Sequence, residues 1–464
     1  MLRTLSLAFL LSTPALAQSA DTSGPDDLAL TIYNGGTALV TDTRQLQLAR
    51  GEQVVELPGV SSQIQPTTAT FIADGVTIAE QNFDFDLLSP EKLMEKAVGS
   101  FVEVVRTNPG NGRVSRERAK VLSVNNGVVV EIDGRIEVLR DDDIPTRVVF
   151  PDVPENLRAR PTLSILVDAA RAGRRTAELS YLTRGLDWSA DYVAVFDEDA
   201  GELDLQGWAT LTNTTETTFE DADVAVVAGQ VAGVQQTDRY GNPVYRPQPQ
   251  VRGNMVQAGI EAADVERVGD TYLYPLPGEV TVRANQTKQV GIVDGEGLAA
   301  KKVYEFQTYG FSTNPDPQSA DVRVEFTNSG VALPEGVLRV YGEDASGRSQ
   351  FLGEDRLTHT PASSDLAVKI GEAFDIRVQP TVTEDNRVSR RVRDVSMQFR
   401  VSNASPQPVT VNIVQRVGTW AEYEVLSESA DHTERNAYTY VWPVRVAAEG
   451  DEVLTFSMRE RSRY

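Results

Sequence analysis

Apolar and polar residues alternate with a period of two along much of the chain, as in Val322-Arg323-Val324-Glu325-Phe326, Leu203-Asp204-Leu205-Gln206-Gly207-Trp208 and Val409-Thr410-Val411-Asn412-Ile413. Alternation built from branched and aromatic residues marks strands with one face in a core and the other in solvent. With 58 valines among 464 residues, the pattern makes the protein mainly β. One short helix stands out: Ser89 is placed as N-cap, Pro90 at the first helical position with Glu91 beside it, and Gly99 as the stop.

The punctuation between strands divides the chain. Residues 1–17 combine Arg3, an apolar run from Leu5 to Leu11, Pro14 and the small-x-small site Ala15-Leu16-Ala17. This is the layout of a secretory signal peptide cut between Ala17 and Gln18, and its apolar run is far short of the roughly 20 residues of a membrane span. Residues 18–27 are small, polar and acidic, a mobile tail. An N-terminal β domain is expected over 28–88. Residues 89–150 then hold the helix and a small barrel-like insertion, with strands at Phe101 to Val105, Ala119 to Val124, Gly127 to Ile132 and Arg135 to Leu139 joined by Asn- and Gly-rich tight turns. A central β-sandwich follows over 151–317, interrupted by a mobile loop at 232–270, where periodicity gives way to Gln, Pro, Gly and Asn. A C-terminal β-sandwich occupies 318–464.

Three segments recur: Leu211-Thr212-Asn213-Thr214-Thr215, Phe326-Thr327-Asn328-Ser329-Gly330 and Val401-Ser402-Asn403-Ala404-Ser405. Each ends a strand in Asn plus small polar residues. Asn tolerates left-handed turns and bonds its own backbone, so the recurrence suits the strand exits of immunoglobulin-like sandwiches.

Composition narrows the chemistry. The chain has no Cys, so disulfides, thiolate metal sites and cysteine nucleophiles are excluded, and His359 and His432 are its only imidazoles. Its 44 Lys+Arg against 67 Asp+Glu give a net charge of −23, which disfavours a nucleic-acid partner. No segment after the leader is apolar enough to span a bilayer as a helix. An outer-membrane barrel is disfavoured by Arg459, Glu460, Arg461 and Arg463 in the last strand.

The run Ser180-Tyr181-Leu182-Thr183-Arg184-Gly185-Leu186-Asp187-Trp188-Ser189-Ala190-Asp191-Tyr192 resembles the bacterial family known as domain of unknown function 4139. So do Leu205-Gln206-Gly207-Trp208, Val227-Ala228-Gly229, Tyr274-Pro275-Leu276-Pro277, Leu333-Pro334-Glu335-Gly336 and Gly353-Glu354-Asp355-Arg356-Leu357-Thr358-His359-Thr360-Pro361. The resemblance runs from about Leu28 to Tyr464. A more distant likeness to proteins labelled mucoidy inhibitor A implies the cell envelope and no particular activity. All of these motifs are strands and turns, so they identify a family without a reaction.

Candidate chemistry is sparse. Glu354 and Asp355 precede His359, but in an extended segment Asp355 and His359 lie about 13 Å apart, so a turn residue bonding backbone is the preferred reading of His359. His432 reads as part of a polar loop. No Gly-x-Ser-x-Gly elbow and no phosphate-binding Gly loop occurs. Asp197 and Asp199, in a hairpin turn, have the spacing of calcium ligands, yet the twelfth position of an EF-hand counted from Asp197 is Trp208. Trp188, Tyr192, Trp208, Trp420 and Trp442 fit either a core or a sugar platform, and alternating strands favour the core.

The expected function is that of an exported, non-enzymatic interaction or scaffolding module of the cell envelope, periplasmic or secreted. Its expected partner is an envelope protein or glycan. Two alternatives stand beside it: a carbohydrate-binding or carbohydrate-active protein using surface carboxylates and tryptophans, and a calcium-dependent adhesion module.

Overall fold

The computed structural model describes residues 24–84, 88–125, 127–139, 145–154, 157–229, 266–268, 271–328, 330–344 and 346–463. The expected signal peptide, the Ala17/Gln18 cleavage site, residues 18–23 of the tail and residues 232–265 of the expected loop lie outside them. Strands dominate the described residues, as the alternation predicts. The helix forms at Pro90–Lys96, where the Ser89 Oγ accepts the Lys92 N–H at 3.1 Å. Gly99, at φ +86°, turns the chain out of it through a conformation that a side chain would strain.

The chain divides into two compact units. The first holds the chain up to Asp187 together with Thr212–Val224 and Gly278–Gln286. In it, Asp27–Tyr33, Thr37–Leu48, Gly173–Arg184 and Thr70–Ala73 are neighbours in one antiparallel sheet. Gly51–Pro58, Thr162–Ala169 and Val76–Asp84 make a second, three-stranded sheet. On Thr37–Leu48 every second residue is buried, and two of these are charged: Arg44 forks onto both Asp42 oxygens at 2.6–3.1 Å and donates to the Pro58 carbonyl. Pairing and bonding both charges offsets their desolvation.

The barrel expected after the helix is not closed. Its strands form an open sheet in the order Thr146–Val149, Phe101–Thr107, Val114–Ser123, Val128–Ile132, Arg135–Leu139. Among the described residues the two edge strands, Thr146–Val149 and Arg135–Leu139, form no ladder with each other, and closure requires that ladder. The sheet curls instead over Val102, Val104, Ala119, Val121, Val130 and Ile132. Arg106 bonds both Glu117 and Glu137 on this sheet. The Glu137 contact, at 2.6 Å, bridges strands three positions apart, which a flat sheet would hold about 14 Å from one another.

The second unit contains Trp188–Leu211, Ala225–Pro277 and Thr287–Tyr464. Within it, Glu266–Val268 pairs with Thr271 to Leu273, inside the span expected as loop. Strand Gln286–Tyr309 pairs antiparallel with Gln318–Thr327 through residues 300–305, then parallel with Val409–Arg416 through residues 304–309. It thereby passes from one layer of a sandwich to the other. One layer holds Asp365–Arg387, Val392–Asn403, Gly450–Ser462 and Ala421–Glu428. The other holds the end of Gln286–Tyr309 with Val409–Arg416, Thr439–Val446 and Thr433–Asn436. Met397, Phe399, Phe456 and Met458 from the first meet Phe306, Val411, Ile413 and Trp442 from the second. Trp442 lies flat on Phe456, with ring centroids 4.3 Å apart. Each such side chain contributes roughly 1.5–3 kcal/mol by leaving water.

The recurrent asparagines share one arrangement. Asn213 ends strand Glu202–Asn213 and is buried; its Nδ2 donates to the Thr217 and Val282 carbonyls, and its Oδ1 accepts the Thr215 N–H and hydroxyl. Asn403 repeats this bond for bond, with Gln407 and Ala447 as acceptors and Ser405 as donor. Asn328 donates to Val331 and Pro361 and accepts from the Ser364 N–H. In each case one amide satisfies backbone groups of two segments that no ladder reaches. Buried phenols do similar work: Tyr192 donates to the Pro334 carbonyl and Tyr274 to that of Ala332, holding one loop from two strands.

Asn403→Ala should cost about 1–3 kcal/mol in urea unfolding, because two part-buried carbonyls and the Ser405 N–H lose their partner, while Asn386→Ala on the surface should cost less than about 0.5 kcal/mol. The phenols set an alkaline limit. Burial pushes Tyr181, Tyr192 and Tyr274 well above the usual tyrosine range, and burial with the Glu460 charge pushes Tyr423 up to about 12. Above pH about 10 the unfolded chain releases phenolic protons that the folded chain retains, so stability must fall as pH rises from about 10 towards 12 and beyond. The melting temperature should drop over that window, with phenolate absorbance growing as the fold is lost.

Candidate functional site

The structure places the two imidazoles differently. His359 bonds backbone: its Nδ1 accepts the Glu335 N–H at 3.1 Å. Asp355 instead accepts the N–H groups of Arg356 and Lys369, and Glu354 faces Arg339. His432 is held by a carboxylate, which its loop-like sequence did not suggest. Its Nδ1 lies 2.7 Å from Glu428 Oε2, the same oxygen that accepts the Trp442 indole N–H at 2.7 Å. The ring also packs 5.5 Å from both Tyr440 and Trp442. A cavity of about 260 Å³ opens beside Glu428 among Ser396, Ser427, Ser429 and Thr455. With Oε2 committed to two donors, Glu428 ties the edge strand Ala421–Glu428 to the aromatic core, and His432 covers the join.

Asp197 serves its own turn. Its Oδ1 accepts the N–H groups of Asp199 and Ala200 at 3.0 and 2.9 Å, the geometry of an Asx turn. Asp199 is exposed, and Glu198 between them pairs with Lys302. Among the described residues no group of three or more acidic or imidazole side chains is placed to hold a metal. Close by, a cleft of about 660 Å³ lies where strand Gln286–Tyr309 changes layers, lined by Glu198, Lys302, Tyr304, Pro406 and Pro408 among others.

The aromatic residues separate clearly. Trp188, Tyr192 and Trp442 are buried, the first donating its indole N–H to the Val227 carbonyl, and Trp208 is half-buried. Trp420 is 48% exposed. It follows Gly418 in the turn after strand Val409–Arg416, and its ring lies over that glycine: a Cβ at Gly418 would stand 2.1 Å from the indole. Gly418 is not in the left-handed region, so the missing side chain makes room for the ring, not for an unusual backbone. Tyr309, 62% exposed, meets Trp420 edge-on with centroids 6.3 Å apart. The result is a two-sided aromatic shelf in solvent.

Its supports come from four chain segments. Arg416 stands opposite Tyr309 in the parallel ladder. The Trp420 carbonyl accepts the Arg463 N–H, and the Arg391 carbonyl that of Ser462. Phe311 and Tyr423 pack together at 6.3 Å, with Arg393 over the Phe311 ring. Alternation could not find this shelf, because Trp420 lies in a turn and Tyr309 at a strand end, 111 residues apart in the chain. The spacing Gly418-Thr419-Trp420 was the only local signal.

A family model described as a domain of unknown function, DUF4139, matches residues 177–461 and so includes both rings of the shelf. No curated protein matches the chain.

Gly418→Ala should lift the indole off the backbone. The change should raise the exposure of Trp420, read as faster acrylamide quenching of its fluorescence in a variant whose other three tryptophans are Phe. The melting temperature should fall only slightly, since the ring is already half in water.

Proposed function

The chain belongs to the DUF4139 family, and we propose that it is an exported, non-enzymatic binding module of the bacterial cell envelope. The observation that carries this reading is the Tyr309–Trp420 shelf: two large rings in solvent, one lying flat on a glycine. A large aromatic side chain left in water forgoes the gain of burial, and a rigid one can recover it on a partner at little entropic cost. The leader-like residues 1–17 support export.

A glycan is the partner that the shelf favours. An indole supported on one side offers its other face for stacking against the C–H groups of a pyranose, and a neighbouring phenol contributes a hydroxyl and a second wall.

Full-length protein expressed with its leader should appear in the exported fraction with Gln18 as its first residue. The mature wild-type chain should be retained on an immobilised envelope extract, and Trp420→Ala should reduce that retention at least tenfold with an unchanged melting temperature. Equal retention of the two would remove the shelf from the function, and a chain that stays in the cytoplasm would remove export.

A further inference from the structure

The charge around the shelf differs from that of the rest of the protein. The segments 384–394, 416–424 and 459–463 carry eight arginines, Arg387, Arg390, Arg391, Arg393, Arg416, Arg459, Arg461 and Arg463, against six carboxylates. In a chain with net charge −23 this corner is therefore positive by two. The structure brings the three segments together: Val392–Asn403 pairs with Gly450–Ser462, which pairs with Ala421–Glu428.

The carboxylates here are already engaged. Asp394 takes both arms of Arg459, Glu460 and Asp385 face Arg393, Glu424 faces Arg461, Glu422 lies 3.8 Å from Arg463, and Glu384 accepts from Asn386. Arg390, Arg391 and Arg416 are exposed and, among the described residues, face no carboxylate. Arg387 spends its guanidinium on the carbonyls of its own hairpin. Arg416 flanks Tyr309 through the ladder. Arg391 flanks Trp420 through the Ser462 and Arg463 backbone.

We propose that the shelf binds an acidic polysaccharide, with Trp420 and Tyr309 stacking on the sugar ring and Arg390, Arg391 and Arg416 holding its carboxylates. This rests on the glycan reading above and deepens it. A guanidinium presents two parallel N–H donors that match a carboxylate, and an unpaired one loses little existing bonding when a ligand takes it. The surrounding negative charge repels a polyanion elsewhere on the surface, so the positive corner also selects where it lands. The flat seat of the indole separates this ligand from a lipid surface: a ring lying on its own backbone is placed to stack and not to insert.

The test is affinity electrophoresis of the mature chain in gels containing polygalacturonate, its fully methyl-esterified uncharged form, or neither, beside flotation with phosphatidylglycerol vesicles. Retardation by polygalacturonate alone is expected, weakened at least tenfold by Arg390→Glu/Arg391→Glu, by Arg416→Glu and by Trp420→Ala, and weakened in high salt. All three variants change exposed side chains, and an unchanged melting temperature verifies their fold. Equal retardation by the two polymers, insensitive to the arginine variants, overturns the acidic ligand and leaves the glycan reading standing. Failure of both polymers to retard, with flotation on vesicles, overturns both in favour of a membrane surface. Failure of every probe, or retardation that Trp420→Ala leaves intact, overturns the proposal at this shelf.

Discussion

A sandwich with no disulfide must close itself wherever a strand leaves its ladder, because the departing chain carries buried N–H and C=O groups that no neighbouring strand can reach. Three asparagines solve that problem here. Each carboxamide bonds the backbone of its own turn and that of a segment more than thirty residues away, and Asn213 and Asn403 do so through the same set of bonds. An alanine could fill such a position but leave its neighbours unbonded, and a lysine could not be buried there at all. The Tyr192 and Tyr274 hydroxyls act likewise on the loop carrying Ala332 and Pro334.

At the opposite end of the C-terminal sandwich from Asn403, backbone bonds hold the turns in fixed relation. Gly310 donates to the Arg416 carbonyl and Val417 to that of Tyr438, so the chain leaves both strands in a defined direction. Tyr309 and Trp420 are carried outward on those two exits. The rigid layers beneath supply the placement, and the turns supply the chemistry, a division of labour common to sandwich proteins. The same geometry gathers the arginine-rich hairpin at 387–391 and the last strand beside the rings.

The helix at Pro90–Lys96, the strand Arg135–Leu139 and the asparagine exits were legible because their signals are local: a cap, a turn dipeptide, a short polar residue at the end of an alternation. The barrel was misread because turns and strand lengths report hairpins, whereas closure depends on how two edge strands meet. Nothing local in the sequence marks Asp42 and Arg44 as buried, and only the pairing of the two charges makes their burial possible. His432 read as loop, and its carboxylate partner Glu428, four residues away, became a partner only once both faced the Trp442 indole.

By itself, then, the amino-acid sequence determined the β class, the short helix at Pro90–Lys96, the strand exits and the family, since each follows from periodicity or from motifs within a few residues. Tertiary structure alone decided which aromatic residues reach solvent, which charges find partners and where the arginines gather. Alternation states that a side chain has a buried and an exposed face to choose between, but whether a second layer covers that face depends on segments a hundred residues away. Trp442 and Trp420, twenty-two residues apart, show the difference: one is sealed beneath the opposite sheet, and the other lies on a glycine in water.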